Sequence, residues 1–222
     1  MTPRHHLDAA TLVSHAAAAL SPEMSAVAQL HLDACAQCRA SLAQAEAIGG
    51  ILIDQRDPGP PHPARSSELR SRMLANLDAR IDGNSERLDA ATGQDPDRLP
   101  APLQAYFGPT WSGLKWRWMG PGMRYIRAAG ASGASLVMLK IGPGRRMPAH
   151  GHGGSELTQI LRGAYDDASG RFGEGDVADL DADTEHQPVT AAGTACICVS
   201  ALDAQMRFHG WLARRLQPYF GI

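Results

Sequence analysis

Two histidines one residue apart, with a glutamate four residues after the second, lie between two glycines in the stretch GRRMPAHGHGGSELTQILRG, residues 144–163. Because side chains alternate between the two faces of a β-strand, His150 and His152 project from the same face, where two imidazoles can bind one cation. Glu156 opens the alternating run ELTQILRG, which predicts a second strand that turns its carboxylate to the same side. His186 can reach this point from an adjacent antiparallel strand. Three imidazoles and one carboxylate suit zinc, manganese, iron or nickel, so the pattern predicts a metal centre and leaves the metal open.

A second group of candidate metal ligands lies more than a hundred residues earlier, in HLDACAQC. Ser21 and Pro22 are typical of the N-cap and first residue of a helix, and the apolar spacing predicts one long helix from there to Gly49 and Gly50. On such a helix the histidine and both cysteines share one stripe, at positions i, i+4 and i+7. A closed structural zinc site needs a fourth nitrogen or sulfur ligand, for which N-terminal histidines are available. The candidate ligands are His31, Cys35 and Cys38, with His5, His6 or His15 as the fourth.

The periodicity of the sequence changes along the chain and predicts two domains. Helical spacing of apolar residues extends to about residue 81. The stretch DPGPPHPAR at residues 57–65 interrupts it, and SSELRSRMLANLDARI then predicts a further capped helix. The stretch GNSERLDAATGQDPDRLPA is polar and rich in Gly and Pro, as linkers are. Beyond it, the short alternating runs LKWRWM, MRYIRAA, SLVMLKI, ELTQIL and TACICVSAL are typical of a small β-sandwich or barrel. We therefore predict a two-domain α + β protein: a small zinc-binding helical bundle in residues 1–85, a linker in 86–101, and a β-barrel or sandwich in 102–222.

Charge and cysteine usage narrow the classes of function. The formal net charge is -2, so the chain lacks the basic surface that neutralises phosphates, and we expect no direct binding to nucleic acid. No stretch approaches the roughly 20 apolar residues that span a bilayer, and the N-terminus lacks the apolar core of a signal peptide. We therefore expect a cytoplasmic protein with no membrane contact. In that reducing compartment paired cysteines indicate metal binding or core packing, and we expect Cys196 and Cys198 to be buried core thiols.

The residues around both clusters match motifs of a known family. Gly144, His150, His152, Glu156 and Gly163 reproduce the cupin motif G-x5-H-x-H-x3-E-x6-G. The spacing H-x3-C-x2-C of the first cluster, with a histidine near the N-terminus, resembles the zinc-binding anti-sigma domain. The order of the two domains, the start MTPRHH and the end LQPYFGI are similar to the ChrR family of soluble anti-sigma factors over essentially the whole chain.

This resemblance implies a cupin fold for the second domain, a protein partner and two ligand sets. In the family, the N-terminal zinc domain binds an extracytoplasmic-function sigma factor and blocks its access to core RNA polymerase. The cupin domain is needed for the response to oxidative stress, typically singlet oxygen or organic peroxide. The resemblance implies zinc at the first site, and zinc or another divalent metal at the cupin site. The implied ligands are His6, His31, Cys35 and Cys38 for the first site, with His5 as an alternative to His6, and His150, His152, Glu156 and His186 for the second.

The alternative function is that of a cupin metalloenzyme, for example a dioxygenase. The same ligand set can leave an open coordination position for a substrate or O2. Such an enzyme would not require a second zinc-binding domain, and few polar groups are placed by motif to orient a substrate. We therefore expect a regulatory protein and not an enzyme.

Overall fold

The structure, a computed structural model, describes residues 2–57, 59, 67–77, 95–128 and 134–208. Its N-terminal part is helical and most of the remainder consists of antiparallel strands, which confirms the predicted fold class. The helices are α1 (Ala9–Ala16), α2 (Pro22–Ala34), α3 (Ala36–Asp54), α4 (67–77) and α5 (Ala101–Phe107). The strands are β1 (Arg117–Gly120), β2 (Met123–Ala128), β3 (Ser135–Ile141), β4 (His150–His152), β5 (Glu156–Arg162), β6 (Ala164–Asp167), β7 (Gly170–Gly173), β8 (Val177–Leu180), β9 (Glu185–His186), β10 (Val189–Thr190), β11 (Cys196–Leu202) and β12 (Met206–Phe208).

Contacts between residues divide the chain into two compact units. The first comprises Met1–Gly49 and Leu99–Ile222, and therefore contains both the first helices and the strands. The second is Gly50–Arg98, in which the helix predicted from SSELRSRMLANLDARI is present as α4 over its described part. The predicted boundary after residue 85 falls within residues 78–94, outside the described residues, so the division into residues 1–85, 86–101 and 102–222 stays a prediction.

The first helices begin where short polar side chains cap them. Asp8 accepts a hydrogen bond from the Thr11 amide at 2.6 Å at the start of α1. Ser21 accepts one from the Met24 amide at 3.2 Å at the start of α2, which has Pro22 as its first residue, as predicted. The single long helix predicted from this point is wrong, because the chain breaks before it reaches the glycines.

The break lies at Cys35, between α2 and α3. Its backbone is extended, with φ -113° and ψ 105°, while its amide donates to the carbonyl oxygen of His31 at 2.9 Å and closes α2. Its thiol accepts a hydrogen bond from the Cys38 amide at 3.4 Å, and so caps the start of α3 in the way a serine hydroxyl would. From there α3 continues through both glycines to Asp54. A cysteine is not a usual N-cap residue, which is why the periodicity alone did not indicate the break.

The strands form three antiparallel sheets. One has six strands in the order β1-β2-β3-β11-β5-β8, and the other two have the orders β10-β6-β7 and β12-β4-β9. All five runs predicted to be strands contain one: β1, β2, β3, β5 and β11.

The central strands β3, β11 and β5 of the six-stranded sheet are buried on both faces, and the two candidate sites lie on opposite sides of the sheet. On one face Leu136, Leu157 and Val199 share a core with residues of the N-terminal helices, and α2 packs on β5 and β11. On the other face Leu139 and Ile160 line an interior shared with β6 and β7. Burial on both sides accounts for the nearly continuous apolar character of SLVMLKI and TACICVSAL.

Candidate metal centres

The three histidines predicted as cupin ligands converge on one point. His150 and His152 are the two ends of β4, and antiparallel pairing of β4 with β9 places His150 directly opposite His186. The adjacent antiparallel strand predicted to deliver His186 is therefore present. One ring nitrogen of each histidine lies within 4.8 Å of the others, and all three residues are buried. Glu156, the first residue of β5, places Oε2 3.0 Å from His152 Nδ1.

Two of these imidazoles are oriented by acceptors on their far sides. His150 Nδ1 lies 2.8 Å from the carbonyl oxygen of Pro148, and His186 Nδ1 lies 3.1 Å from Asp167 Oδ2. If each Nδ1–H donates to its acceptor, each Nε2 carries a lone pair, and the two Nε2 atoms lie only 3.0 Å apart. Burial lowers the pKa of His150, which favours this neutral form. Two facing lone pairs repel each other unless a proton or a cation lies between them, so the geometry fits a metal ion.

The carboxylate of Glu156 is ionised and contacts both Thr158 and His152. The Thr158 hydroxyl donates to Glu156 Oε1 at 2.6 Å, and Oε2 lies beside His152 Nδ1, whereas His152 Nε2 is buried without a hydrogen-bond partner among the described residues. Burial alone would raise the pKa of this carboxyl, but the His152 and His150 imidazoles and the Thr158 hydroxyl hold it below its ordinary value. A buried, unpartnered imidazole nitrogen beside an ionised carboxylate fits a divalent cation.

A small cavity adjoins these side chains inside the strands. Its volume is about 40 Å³, and its largely apolar walls include Cys196 and Cys198, which are buried as predicted. Tyr165 also lines it, and burial raises the pKa of the phenol, which therefore stays protonated. A water molecule needs about 10–15 Å³ of such a cavity, so the space accommodates about three waters. An organic substrate of several carbons needs a much larger volume.

The first cluster brings two thiols and two imidazoles together at the break between α2 and α3. His6 Nδ1 lies 3.2 Å from Cys35 Sγ and 3.6 Å from Cys38 Sγ, and His31 Nε2 lies 3.3 Å from Cys38 Sγ. One ligand atom from each of the four lies within 4.8 Å of the other three. Burial and the neighbouring Cys35 raise the pKa of the Cys38 thiol to about 11, so a cation that binds here must displace a proton from it. Two sulfurs and two nitrogens are the donor set of a closed tetrahedral zinc site.

The other N-terminal histidines lie outside this cluster. The ring of His5 stacks on Phe172 with centroids 3.8 Å apart, and its Nε2 lies 3.0 Å from the carbonyl oxygen of Arg171. His15 Nδ1 lies 3.4 Å from the hydroxyl of Ser25. The structure thus brings His6, and neither of these two, to the cysteines.

The segment that precedes His6 is held by the turn between β7 and β8. Asp176 Oδ1 accepts hydrogen bonds from the amides of Arg4 and His5, the latter at 3.0 Å, and Oδ2 accepts one from the Gly173 amide at 2.7 Å. Burial alone would raise the pKa of the Asp176 carboxyl, but these three amides hold it below its ordinary value. An ionised carboxylate of the strand region therefore anchors the chain beside the first cluster.

The same turn also contacts a member of the cluster. His31 is fully buried, and its Nδ1 lies 3.0 Å from the carbonyl oxygen of Gly175, so Nδ1–H donates and Nε2 is left to face Cys38. Burial lowers the pKa of His31, which favours the neutral, ligating form. On β8, which follows this turn, Asp179 Oδ2 accepts a hydrogen bond from the Asp8 amide at 3.0 Å.

Sequence analysis missed two aspartates, Asp167, which contacts His186, and Asp176, which contacts the segment before His6. Each lies next to a turn between strands, where aspartate is common for local reasons, and neither shares a periodic pattern with the ligands. Their partners are distant in sequence, so only the folded chain shows what they contact.

Comparison with known proteins finds relatives of the strand region and of the whole chain. Residues 110–205 match the family described as the ChrR cupin-like domain. The chain is 38% identical over 222 residues, the whole of both proteins, to the anti-sigma-E factor ChrR of Cereibacter sphaeroides. The crystal structure of Rhodobacter sphaeroides SigE in complex with the anti-sigma ChrR is similar with a TM-score of 0.69 and 33% identity, over 91% of this chain and 100% of that one. An RmlC-like cupin protein from Ralstonia eutropha reaches a TM-score of only 0.39 at 20% identity, over 46% of this chain and 71% of that one.

The match to the ChrR cupin-like domain and the similarity to ChrR in the SigE complex confirm the predicted cupin-like fold of the strand region. The relative that matches the whole chain is named for a regulatory protein and not for an enzyme, in agreement with the expectation from the sequence. Within the described part of the chain, no helix combines the length and apolar character needed to cross a membrane. With identity of this extent over its entire length, the chain belongs to the ChrR family of anti-sigma factors.

Proposed function

We propose that this protein binds and inhibits an extracytoplasmic-function sigma factor through residues 1–85, and releases it under oxidative stress sensed through a metal centre in residues 102–222. The observation that carries the proposal is the 38% identity over the whole chain to a protein named anti-sigma-E factor. The solved complex of SigE with the anti-sigma ChrR supports a sigma factor as the partner. A cytoplasmic location follows from the proposal, because sigma factors act on RNA polymerase.

An exposed apolar stripe on α4 supports the choice of a protein partner. The spacing i, i+4 and i+8 places three large apolar side chains on one side of this helix, with a fourth beside them. Each has between 48% and 64% of its surface exposed. Large contiguous apolar patches on a protein surface mark sites of interaction. The four side chains are Leu69, Met73, Leu74 and Leu77.

The first cluster is proposed to hold zinc. Two cysteines and two histidines at these distances fill the four positions of a tetrahedral ion and leave none open, which is the arrangement of structural sites. Zinc would therefore fix the break between α2 and α3 and tie it to the N-terminal segment. Its proposed ligands are His6, His31, Cys35 and Cys38.

The cupin cluster is proposed to hold zinc or another divalent metal. The facing Nε2 atoms of His150 and His186, the unpartnered Nε2 of His152 and the ionised carboxylate of Glu156 support this assignment. We assign a sensing role to the centre because the strands beside it also contact the N-terminal segment that carries His6. Phe172 stacks on His5 on one side and on Tyr165, with centroids 4.9 Å apart, on the other. A change at the centre can thus alter the contacts that hold the N-terminal segment.

The size of the cavity argues against the metalloenzyme alternative. With about 40 Å³ beside the candidate ligands, the site has room for a few small molecules but not for an organic substrate. Small oxidants can enter such a space, which agrees with a sensing role.

Co-purification tests the proposal. The full chain, produced with each extracytoplasmic-function sigma factor of its host, should capture one of them in a stoichiometric complex and suppress transcription from the cognate promoter. Met73→Asp should weaken the complex, whereas Asn76→Asp, which adds the same charge to an exposed polar position of α4, should leave it intact. Failure of the wild-type chain to bind any sigma factor of the host would rule the function out.

A further inference from the structure

The carboxylate of Asp167 is fixed at both oxygens. Asp167 is the last residue of β6, opposite Gly170 at the turn into β7. Its side chain is 2% exposed. Oδ1 accepts a hydrogen bond from the Ser169 amide at 2.8 Å, and Oδ2 lies 3.1 Å from His186 Nδ1. A buried carboxylate held on one side by the backbone of its own turn is a rigid acceptor for the imidazole on the other side.

His186 needs such an acceptor more than the other histidines do. It lies on β9, a strand of only two residues, whereas His150 and His152 belong to the central strand of their sheet. The orientation of its ring and the choice of tautomer therefore depend on the side chain that binds Nδ1. With Asp167 accepting from Nδ1–H, the lone pair of Nε2 faces His150 Nε2 at 3.0 Å.

We infer that Asp167 is a positioning residue of the cupin metal centre, which sets the tautomer and ring orientation of His186 so that Nε2 can bind the ion. This inference rests on the proposed metal centre and adds a residue to it. Carboxylates that accept from the far nitrogen of a metal-binding histidine have this role in many proteins, and their loss typically weakens metal binding ten- to hundredfold.

Asp167→Asn separates this role from a purely structural one. The amide oxygen of asparagine can keep the hydrogen bond to the Ser169 amide, but its NH2 group then faces His186 and favours the tautomer with the proton on Nε2. The turn is retained while the ligand atom is blocked. Asp167→Ala removes both contacts, and Asp166→Asn, at a neighbouring side chain that is 51% exposed and paired with Arg171, is the matched control.

Chelator competition measures the affinity and the number of zinc ions bound to the full chain. Circular dichroism reports whether the fold is retained, and the NMR signal of the His186 Nδ1 proton reports the tautomer. We expect two zinc ions in the wild type and in Asp166→Asn, and a ten- to hundredfold weaker second site in Asp167→Asn with unchanged circular dichroism and loss of that proton signal. Wild-type affinity at the second site of Asp167→Asn would overturn the role of Asp167 and leave the metal centre standing. A wild-type chain that binds one zinc and no second ion, whether zinc, manganese, iron or nickel is added, would instead overturn the metal centre and this role together.

Discussion

The two clusters of candidate metal ligands are built on different supports. In the cupin cluster, the residues lie on paired strands, and Pro148, Asp167 and Thr158 each hold a ring or carboxylate from outside. In the first cluster, the residues lie on the irregular segment before α1, on α2 and α3 and at the break between these two helices, where no ladder of strand pairs fixes them. Strand pairing can keep the cupin cluster in place without an ion. We therefore expect the ion at the first cluster to contribute mainly to folding. The ion at the cupin cluster should contribute mainly to the control of sigma-factor release.

The turn between β7 and β8 joins the two regions. Asp176 and Gly175 hold the N-terminal segment and His31, while β6 and β7, on the other side of the turn, carry Asp167 and Phe172. The first cluster is thus partly supported by the strands that also position the second. This connection gives a physical route by which a change in the cupin can weaken sigma-factor binding.

The largest effect is expected for Cys38→Ala. Loss of one thiolate opens a closed site, and structural zinc in small modules contributes on the order of 10 kcal/mol of apparent binding free energy. The variant should lose the first zinc, and inhibition of the sigma factor with it, as measured by metal analysis and by transcription in vitro. Cys196→Ala removes a buried thiol elsewhere and should cost only about 1–3 kcal/mol of stability without loss of either metal. Full zinc content and full inhibition in Cys38→Ala would rule out the first site.

A smaller effect on stability is expected for His152→Ala. The variant should lose the cupin metal and with it about 3–4 kcal/mol of stability, when free metal is in 100- to 1,000-fold excess over the Kd. Because the strands remain paired, it should keep the first zinc and still inhibit the sigma factor. Chemical unfolding with and without added metal measures the difference. If His152→Ala also lost the first zinc, metal binding at the first cluster would depend on the cupin metal, which contradicts the independence expected here.

Asp176→Asn tests the anchor between the regions. At least one of three backbone amides would lose its acceptor, at a cost of about 1–3 kcal/mol in the free energy of unfolding at neutral pH. The folded pKa of this carboxyl is lowered, so its contribution is full above the unfolded value, about 3.9, and is lost as the pH falls through the folded value. The difference between wild type and variant should therefore shrink in acid. The exposed control Asp166→Asn should change stability by no more than about 0.5 kcal/mol, and an equal effect in both variants would contradict the anchoring role.

The smallest effect is expected for His5→Ala. This change removes the stack on Phe172, worth about 0.5–1.5 kcal/mol, and leaves the zinc ligands untouched. His6→Ala, one residue away, should lose the first zinc. Zinc analysis of the two variants decides between these neighbours, and loss of zinc in His5→Ala alone would reverse the assignment.

Sequence analysis predicted the local features of both sites and missed those that depend on tertiary structure. The alternation around His150 and Glu156 and the cysteine spacing are local, so they predicted the strands correctly and indicated candidate ligands that the fold brings together. The break at Cys35 was missed because the thiol caps α3 in place of the usual oxygen. The choice between His5 and His6 was open because it depends on Phe172, more than 160 residues away.

The positions of Asp167 and Asp176 were unpredictable for the same reason. An aspartate beside a turn has local hydrogen bonds that explain it, so nothing in the sequence indicates a second, distant partner. The N-terminal segment gave no sign of binding to the strands, because its contacts to Asp176 are made by backbone amides, which every residue has.

The central claim is that residues 1–85 bind the sigma factor and that the cupin cluster controls its release. A sigma-dependent reporter in cells that carry the wild-type or the His152→Ala full chain, measured with and without singlet oxygen, tests it most directly. The account predicts low expression without stress in both strains, strong induction in the wild type, and an induction ratio near one in the variant. A normal induction ratio in a variant shown to lack the cupin metal would contradict the account.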